Sequence, residues 1–516
     1  MKHIYIVLFG LIIASFSSCS EDFLDRQPLD SQVTSTFYKT EEDAKKALVA
    51  VYDVLGYQST PGISWAPYVT VSDVLSDDCF AGGADANDGM ALNELDKFNA
   101  QTQNLVALSI WKKNYTGIYR ANLLLEKIDG VDASIEFKER VKAECAFLRA
   151  YFYFEQVKFF ENIPLLTETI KSPSEYSQTQ NTPQEVYNQI AVDLVEAINY
   201  LPETVDANQP GRVTKWAAEA LLARVYLFYN GVYGEELNAE GQVIDNAKVL
   251  EYLEELIANS SHDLLSEYGD NFSNISEFGK ESVFEISHGD SPVWWDWGYP
   301  RGGEGNLAAQ MQGPRVTGSD NWNRGWSFAP VSYKLYQDME GDPRRESTIV
   351  SENELDGNLV KAYQHTGYFS NKYTSDAEHW GSGGQFELNR TCNYRVIRFS
   401  DVLLMAAELG SSNAQQYLDR VRSRVGLPSV PATKDNILQE RRLELALEGH
   451  RYFDLLRQGL SVAEAEINTS GNIGPLYEDE ESEYEVEFNA TKRGFLPIPQ
   501  TEIDLSNGVF IQNDGY

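Results

Sequence analysis

Through the first half of the chain, apolar positions recur at three- and four-residue spacing, which predicts a series of amphipathic helices. Thr40 followed by Glu41, Glu42 and Asp43 marks a helix start: a capping hydroxyl, then acids at the positive end of the dipole. Behind it, Ala44, Ala47, Leu48, Val51, Tyr52 and Leu55 share a face. Residues 56–104 lose the rhythm and read as loop, with Gly, Asp and Asn clustered over 82–88. Ile110, Trp111, Tyr115, Ile118 and Leu125 restore it over 105–128. Further helices are predicted at 134–160, 183–200, 213–230 and 245–258, punctuated by Pro164, Pro173, Pro202 and Pro210. In the 213–230 helix, Trp216, Ala217, Ala220, Leu221, Leu227 and Phe228 form a stripe whose alanines permit close contact. Arg224 lies on that stripe and needs a carboxylate partner if buried.

Periodicity fades over 260–398, where Gly, Pro, Asn and Trp dominate and short strands such as 282–287 are expected. Helices return at 399–410, 413–425 and 434–457, and 489–516 is a loop-like tail held extended by Pro497 and Pro499. The 434–457 helix is dense in both signs, with Glu440, Arg441, Glu444, Glu448, Arg451 and Asp454 placed to pair, and it reads as an ion-paired packing helix. The acidic run 478–487 reads as a solvated loop. The fold class is therefore mainly α. A TPR-like scaffold of helix pairs carries a large loop-rich ligand-binding region, without a strict 34-residue consensus. Residues 20–260 form its N-terminal helical part, 260–398 an irregular insertion, and 399–516 a C-terminal helical part and tail.

Residues 1–18 read as an export signal: Lys2, an apolar run over 4–16, then Ser17 and Ser18. Thirteen apolar residues are too few to cross a hydrocarbon core of roughly 30 Å as a helix. Cys19, directly after the small pair, is the expected lipidation site, and acyl chains on it would tie the chain to a membrane. Of the other cysteines, Cys145 sits in an apolar helical stretch and a Cys79–Cys392 bridge stays open. No C-x-x-C and no H-E-x-x-H occurs, so no metal site or cofactor is expected.

The 516 residues carry 42 Lys and Arg against 78 Asp and Glu, a net charge of −36. Such a balance argues against a nucleic-acid partner and against docking on anionic lipid heads. Aromatic residues reach 12%, and Trp294, Trp295, Trp297, Trp322 and Trp326 place five of the nine Trp within 33 residues. Tyr299 joins them, and seven glycines keep the segment irregular. Indole faces match the C–H faces of sugar rings, whereas hydroxyls call for polar edges. Trp294, Trp295, Trp297, Tyr299, Trp322 and Trp326 are the candidate stacking residues. Asn306, Asp320, Asn321 and Arg324 are candidate hydrogen-bonding partners, joined by Asp78, Asp85 and Asn87 from the acidic, glycine-rich stretch 73–88. The alternative is that these Trp merely pack loops onto helices. No G-x-S-x-G elbow and no phosphate loop occurs, so no enzyme is expected.

A set of short motifs in fixed order carries a resemblance. It runs from Cys19 and Phe23-Leu24-Asp25-Arg26-Gln27-Pro28 through Leu148-Arg149-Ala150-Tyr151-Phe152-Tyr153-Phe154 to Ile163-Pro164-Leu165. It continues with Gly211-Arg212-Val213-Thr214-Lys215, Asp342-Pro343-Arg344-Arg345 and Tyr394-Arg395-Val396-Ile397-Arg398. It ends with Arg451-Tyr452-Phe453-Asp454-Leu455-Leu456-Arg457, Phe495-Leu496-Pro497-Ile498-Pro499 and Gln512-Asn513-Asp514-Gly515-Tyr516. In these motifs the chain resembles the SusD/RagB family of Bacteroidetes outer-membrane lipoproteins. One departure is Phe160-Glu161, where the family pattern has Phe-Gly. The resemblance implies four TPR-like helix pairs and a lipoprotein on the outer-membrane surface. Such a protein binds a nutrient, usually an oligo- or polysaccharide, and acts as a lid on a SusC-like TonB-dependent transporter. Ser20, Glu21 and Asp22 resemble the acidic surface-export signal of such lipoproteins. A RagB-like receptor for peptides or protein fragments is the alternative. The shared motifs are mostly helix packing, so the resemblance assigns no binding residue.

Overall fold

Helices begin where capping chemistry places them. The computed structural model describes residues 37–60, 64–172, 175, 177–290, 305–322, 324–382, 386–471, 473–474 and 484–516. Thr40 and Asp43 form a reciprocal capping box at the start of Glu41–Asp53, and Thr182 with Glu185 does the same for Pro183–Tyr200. Leu105–Lys127, Ile135–Phe160, Lys215–Tyr233 and Asn246–Asn259 follow the predicted periodicity and are capped by Asn104, Ser134, Thr214 and Asp245. Each of these helices packs on the next along the chain: Leu105–Lys127 on Ile135–Phe160, then Pro183–Tyr200, Lys215–Tyr233 and Asn246–Asn259. Phe399–Glu408, which packs on Ala414–Arg424, also lies against Asn246–Asn259 and joins the C-terminal helices to the stack. One core runs from Ala44 to Ile498. The fold is mainly α, as the periodicity predicts; the described strands pair in twos, among them Ser282–Ile286 with Tyr394–Arg398.

Arg224 meets Asp401, the carboxylate its place on an apolar stripe demands, and Arg441 shares that partner. The 434–457 segment is not one helix. It divides into Lys434–Glu444 and Arg451–Gln458, with Leu447 and Gly449 both at positive φ (61° and 81°) between them. The break leaves Glu448 facing Lys372 (2.7 Å) and Arg398 (2.8 Å), while Glu444 meets Arg344 (3.0 Å), Arg398 (2.8 Å) and Arg424. Residues 56–104 are also more ordered than expected, with helices Tyr68–Val74 and Met90–Asp96, and Gln500–Leu505 is a short helix in the tail. These segments are too short to show a helical period. Cys79, Cys145 and Cys392 are buried free thiols, so the Cys79–Cys392 bridge does not form. Among the described residues no helix is long and apolar enough to cross a membrane. Cys19, Trp294, Trp295, Trp297 and Tyr299 lie outside the described residues.

Candidate functional site

The two loop regions singled out by composition meet along one seam. Phe80 and Gly83 amides donate to the carbonyls of Pro330 (3.1 Å) and Ser327 (2.9 Å), and the Ala329 amide donates back to Ala81 (3.0 Å). Glycine makes this closeness possible. A Cβ on Gly83 or Gly89 would stand 2.8 or 2.6 Å from the Phe328 ring, and both residues have positive φ. Phe328 in turn backs a pair of indoles. Trp65 and Trp326 lie 5.0 Å apart between centroids at 46°, and each meets Phe328 edge-on (6.4 and 6.5 Å). Both indoles are half-buried.

Polar groups stand in the same two loops. Arg315 donates to the Trp326 carbonyl (2.9 Å) and reaches Asp88 (3.3 Å), locking the two loops together. Asp85 accepts from the Asn87 amide (2.8 Å) in an exposed turn beside Gly83 and Gly89. Arg324 is exposed, and its carbonyl accepts from Gln310 Nε2 (2.8 Å). Arg324, Ser327 and Ala329 all have φ between 48° and 55°, a strained left-handed backbone for residues other than glycine. Asp320 and Asn321 are exposed on a turn that Ser319 and Asp356 brace.

Asp290 and Gly305, the described residues that flank 291–304, are held by Ser382 and Leu388. Asp290 accepts from the Ser382 amide and hydroxyl (2.7 Å each), and the Gly305 amide donates to Leu388 (3.0 Å). Gln310 Oε1 accepts twice from Arg390 (3.0 and 2.7 Å), and the Gln310 carbonyl accepts from the Trp326 amide (3.0 Å).

Three of the candidates are structural. Asp78 is wholly buried against Arg442 (3.1 Å); burial pushes its carboxyl up, and Arg442 opposes that. Asn306 is buried and caps Leu307–Gln312, accepting from the Ala308 amide (3.1 Å) and donating to the Cys392 carbonyl (3.0 Å). Trp322 is only 9% exposed and packs with Val316, Val350 and Phe369. All three side chains are buried and spend their contacts on the fold. Sequence reading missed Trp65, whose one signal is an aromatic residue without a periodic partner between Gly62 and Pro67. Another cleft, of about 770 Å³, lies between Leu105–Lys127 and the tail and contains none of the candidates. Among the described residues no group of His, Cys, Asp or Glu is arranged to hold a metal ion.

The comparisons with known proteins bear on this arrangement. The description "SusD family" matches residues 336–516, and "Starch-binding associating with outer membrane" matches residues 22–227. A solved structure described as a laminarin binding SusD-like protein is 34% identical, with a TM-score of 0.79 over 93% of this chain and 100% of that one. The chain belongs to the SusD/RagB family. Surface glycan-binding protein A from Bacteroides thetaiotaomicron, solved in complex with laminarihexaose, is 29% identical. It too has a TM-score of 0.79, over 92% of this chain and all of that one. SusD-like protein P25 of Formosa agariphila is 27% identical over 89% of this chain and 90% of its own. The ordered motifs are thus those of a SusD/RagB chain, and the helix stack is the scaffold that presents the loop seam.

Proposed function

We propose that the protein captures a neutral oligo- or polysaccharide on the seam between residues 80–89 and 313–330 and hands it, uncleaved, to a SusC-like TonB-dependent transporter. The observation that carries this reading is the Trp65–Trp326 pair, held 5.0 Å apart between centroids at the junction of two polar loops. Half-buried indoles cover the C–H face of a sugar ring, and Asp85, Asn87, Asp320, Asn321 and Arg324 offer edges to its hydroxyls. Trp294, Trp295, Trp297 and Tyr299 are candidates for further stacking on their composition alone. Relatives named for laminarin and laminarihexaose make a β-glucan of that type the first ligand to try. The anchor is Cys19, lipid-modified on the outer-membrane surface.

A few stacked rings support affinities of roughly 10 µM to 1 mM, or about −7 to −4 kcal/mol. Titration calorimetry with laminarin oligosaccharides tests the platform. Trp65→Ala and Trp326→Ala are each expected to weaken binding about 10-fold or more without lowering the thermal midpoint by more than a few degrees. Unchanged affinity in both variants would remove the seam as the binding face.

A further inference from the structure

A second recess shares no residue with the Trp65–Trp326 seam. The end of Ile135–Phe160, the start of Pro183–Tyr200, the end of Lys215–Tyr233 and the last residues of the chain enclose a cleft of about 640 Å³. That volume lies within the roughly 300–1,000 Å³ of ordinary small-ligand sites.

Its wall is built at a local cost. Glu161 has φ 58° and ψ −75°, and the Asn162 amide donates to the Phe160 carbonyl at 2.7 Å. Glu161 is therefore the centre of a γ-turn of positive φ, a form that glycine adopts freely and that strains a residue with a Cβ by about 1–3 kcal/mol. Its carboxylate is turned inward. It pairs with Arg493, itself at φ 52°, and accepts from the Tyr233 hydroxyl (3.3 Å). Arg493 lies over the half-buried Tyr233 ring (5.9 Å) and keeps 41% of its side chain exposed. Burial pushes the Glu161 carboxyl up, and Arg493 pulls against that.

Behind this pair is an unmet polar group. Tyr187 is wholly buried against Tyr229 (4.6 Å between centroids) and Tyr233 (6.1 Å), and its hydroxyl has no hydrogen-bond partner among the described residues. Tyr187 does not itself line the cleft; it backs Tyr229 and Tyr233, the two rings that do. The charges lining the cleft narrow its class: Glu161, Glu235 and Asp514 outnumber the one cation, Arg493, and a lining of net negative charge repels anions. A planar carboxylate and guanidinium beside a ring suit the paired hydroxyls and C–H face of an uncharged sugar.

We infer that this cleft is a second binding site for a neutral oligosaccharide, with Tyr233 as the ring it lies against and Glu161 and Arg493 as the groups that hold its hydroxyls. The inference rests on the glycan reading of the first site. Two sites on one chain raise retention on a polymer more than affinity for a short ligand.

Affinity electrophoresis of the protein in gels containing laminarin or other neutral polysaccharides tests this, with Glu161→Gly, Tyr233→Ala, Trp326→Ala and the Glu161→Gly/Trp326→Ala pair. Glycine takes φ 58° without strain, so Glu161→Gly keeps the fold, with a thermal midpoint unchanged or raised. Glu161→Gly is expected to weaken polymer retention about 3–10-fold while leaving calorimetric affinity at the Trp seam unchanged, and to abolish the retention that Trp326→Ala leaves. Parental retention by Glu161→Gly and by Tyr233→Ala, with the Glu161→Gly/Trp326→Ala pair retained as much as Trp326→Ala alone, would overturn the second site alone. No retention of the parent by any neutral polymer would overturn the glycan reading and this site with it.

Discussion

Glu219 is a residue-scale test of how burial sets chemistry in this fold. It is wholly buried in Lys215–Tyr233, neither carboxylate oxygen has a hydrogen-bond partner among the described residues, and Lys215 Nζ stands 3.5 Å away. Burial raises its carboxyl to about 8, outweighing Lys215. Because this value lies above that of an unfolded Glu, the fold favours the proton. The contribution of Glu219 is complete below about pH 4.5 and is lost as pH rises through about 8. Glu219→Gln is expected to raise stability at pH 8 by on the order of 1–2 kcal/mol and to change little at pH 4, as denaturant midpoints at the two pH values would show. The same principle limits what could be read of the site residue by residue. Asp78, Asn306 and Trp322 look like Asp85, Asn87 and Trp326 in sequence, and only the tertiary partners Arg442, Cys392 and Val350 put the first three inside. Trp65 was invisible for the converse reason: its partner Trp326 is far away along the chain.

At the scale of elements, the long helices were legible because their apolar stripes and capping residues agree. The broken 434–457 segment was not. Its charges read as an ordinary ion-paired face, and the positive φ of Leu447 and Gly449 follows from distant partners. Those partners form a buried network in which Arg398 meets Glu281, Glu444 and Glu448, each at 2.8 Å. Burial alone would push the Glu444 carboxyl up, but Arg424, Arg398 and Arg344 hold it well below the usual range. Glu448 is likewise lowered by Arg398 and Lys372 against burial. Carboxyls depressed in this way stabilise the fold above the unfolded value near 4 and lose that contribution as pH falls through the folded values. Arg398→Ala takes one shared cation from three buried carboxylates, which keep Arg344, Arg424 and Lys372, and is expected to cost about 3–5 kcal/mol. Its denaturant midpoint should fall at pH 7, and the gap to the parent should narrow in acid as the carboxyls take up protons. An equal gap at both pH values would mean that packing, not charge, carries the effect.

At the scale of the molecule, a net charge of −36 and a seam edged by both signs favour an uncharged polymer over an anionic one. Binding should then be nearly independent of salt between about 0.05 and 0.5 M, because no net charge is neutralised on association. A steep loss of affinity with salt would point to an anionic ligand. Family membership fixes the scaffold, whereas the proposed binding residues lie in segments that no shared motif marks. The most direct measurement is affinity electrophoresis of the protein against a panel of neutral and acidic polysaccharides, run beside the Trp65→Ala/Trp326→Ala variant. The account predicts retardation of the protein by at least one neutral polymer and a marked weakening of it in the variant. Retardation by acidic polymers alone, or retention equal in protein and variant, would contradict it.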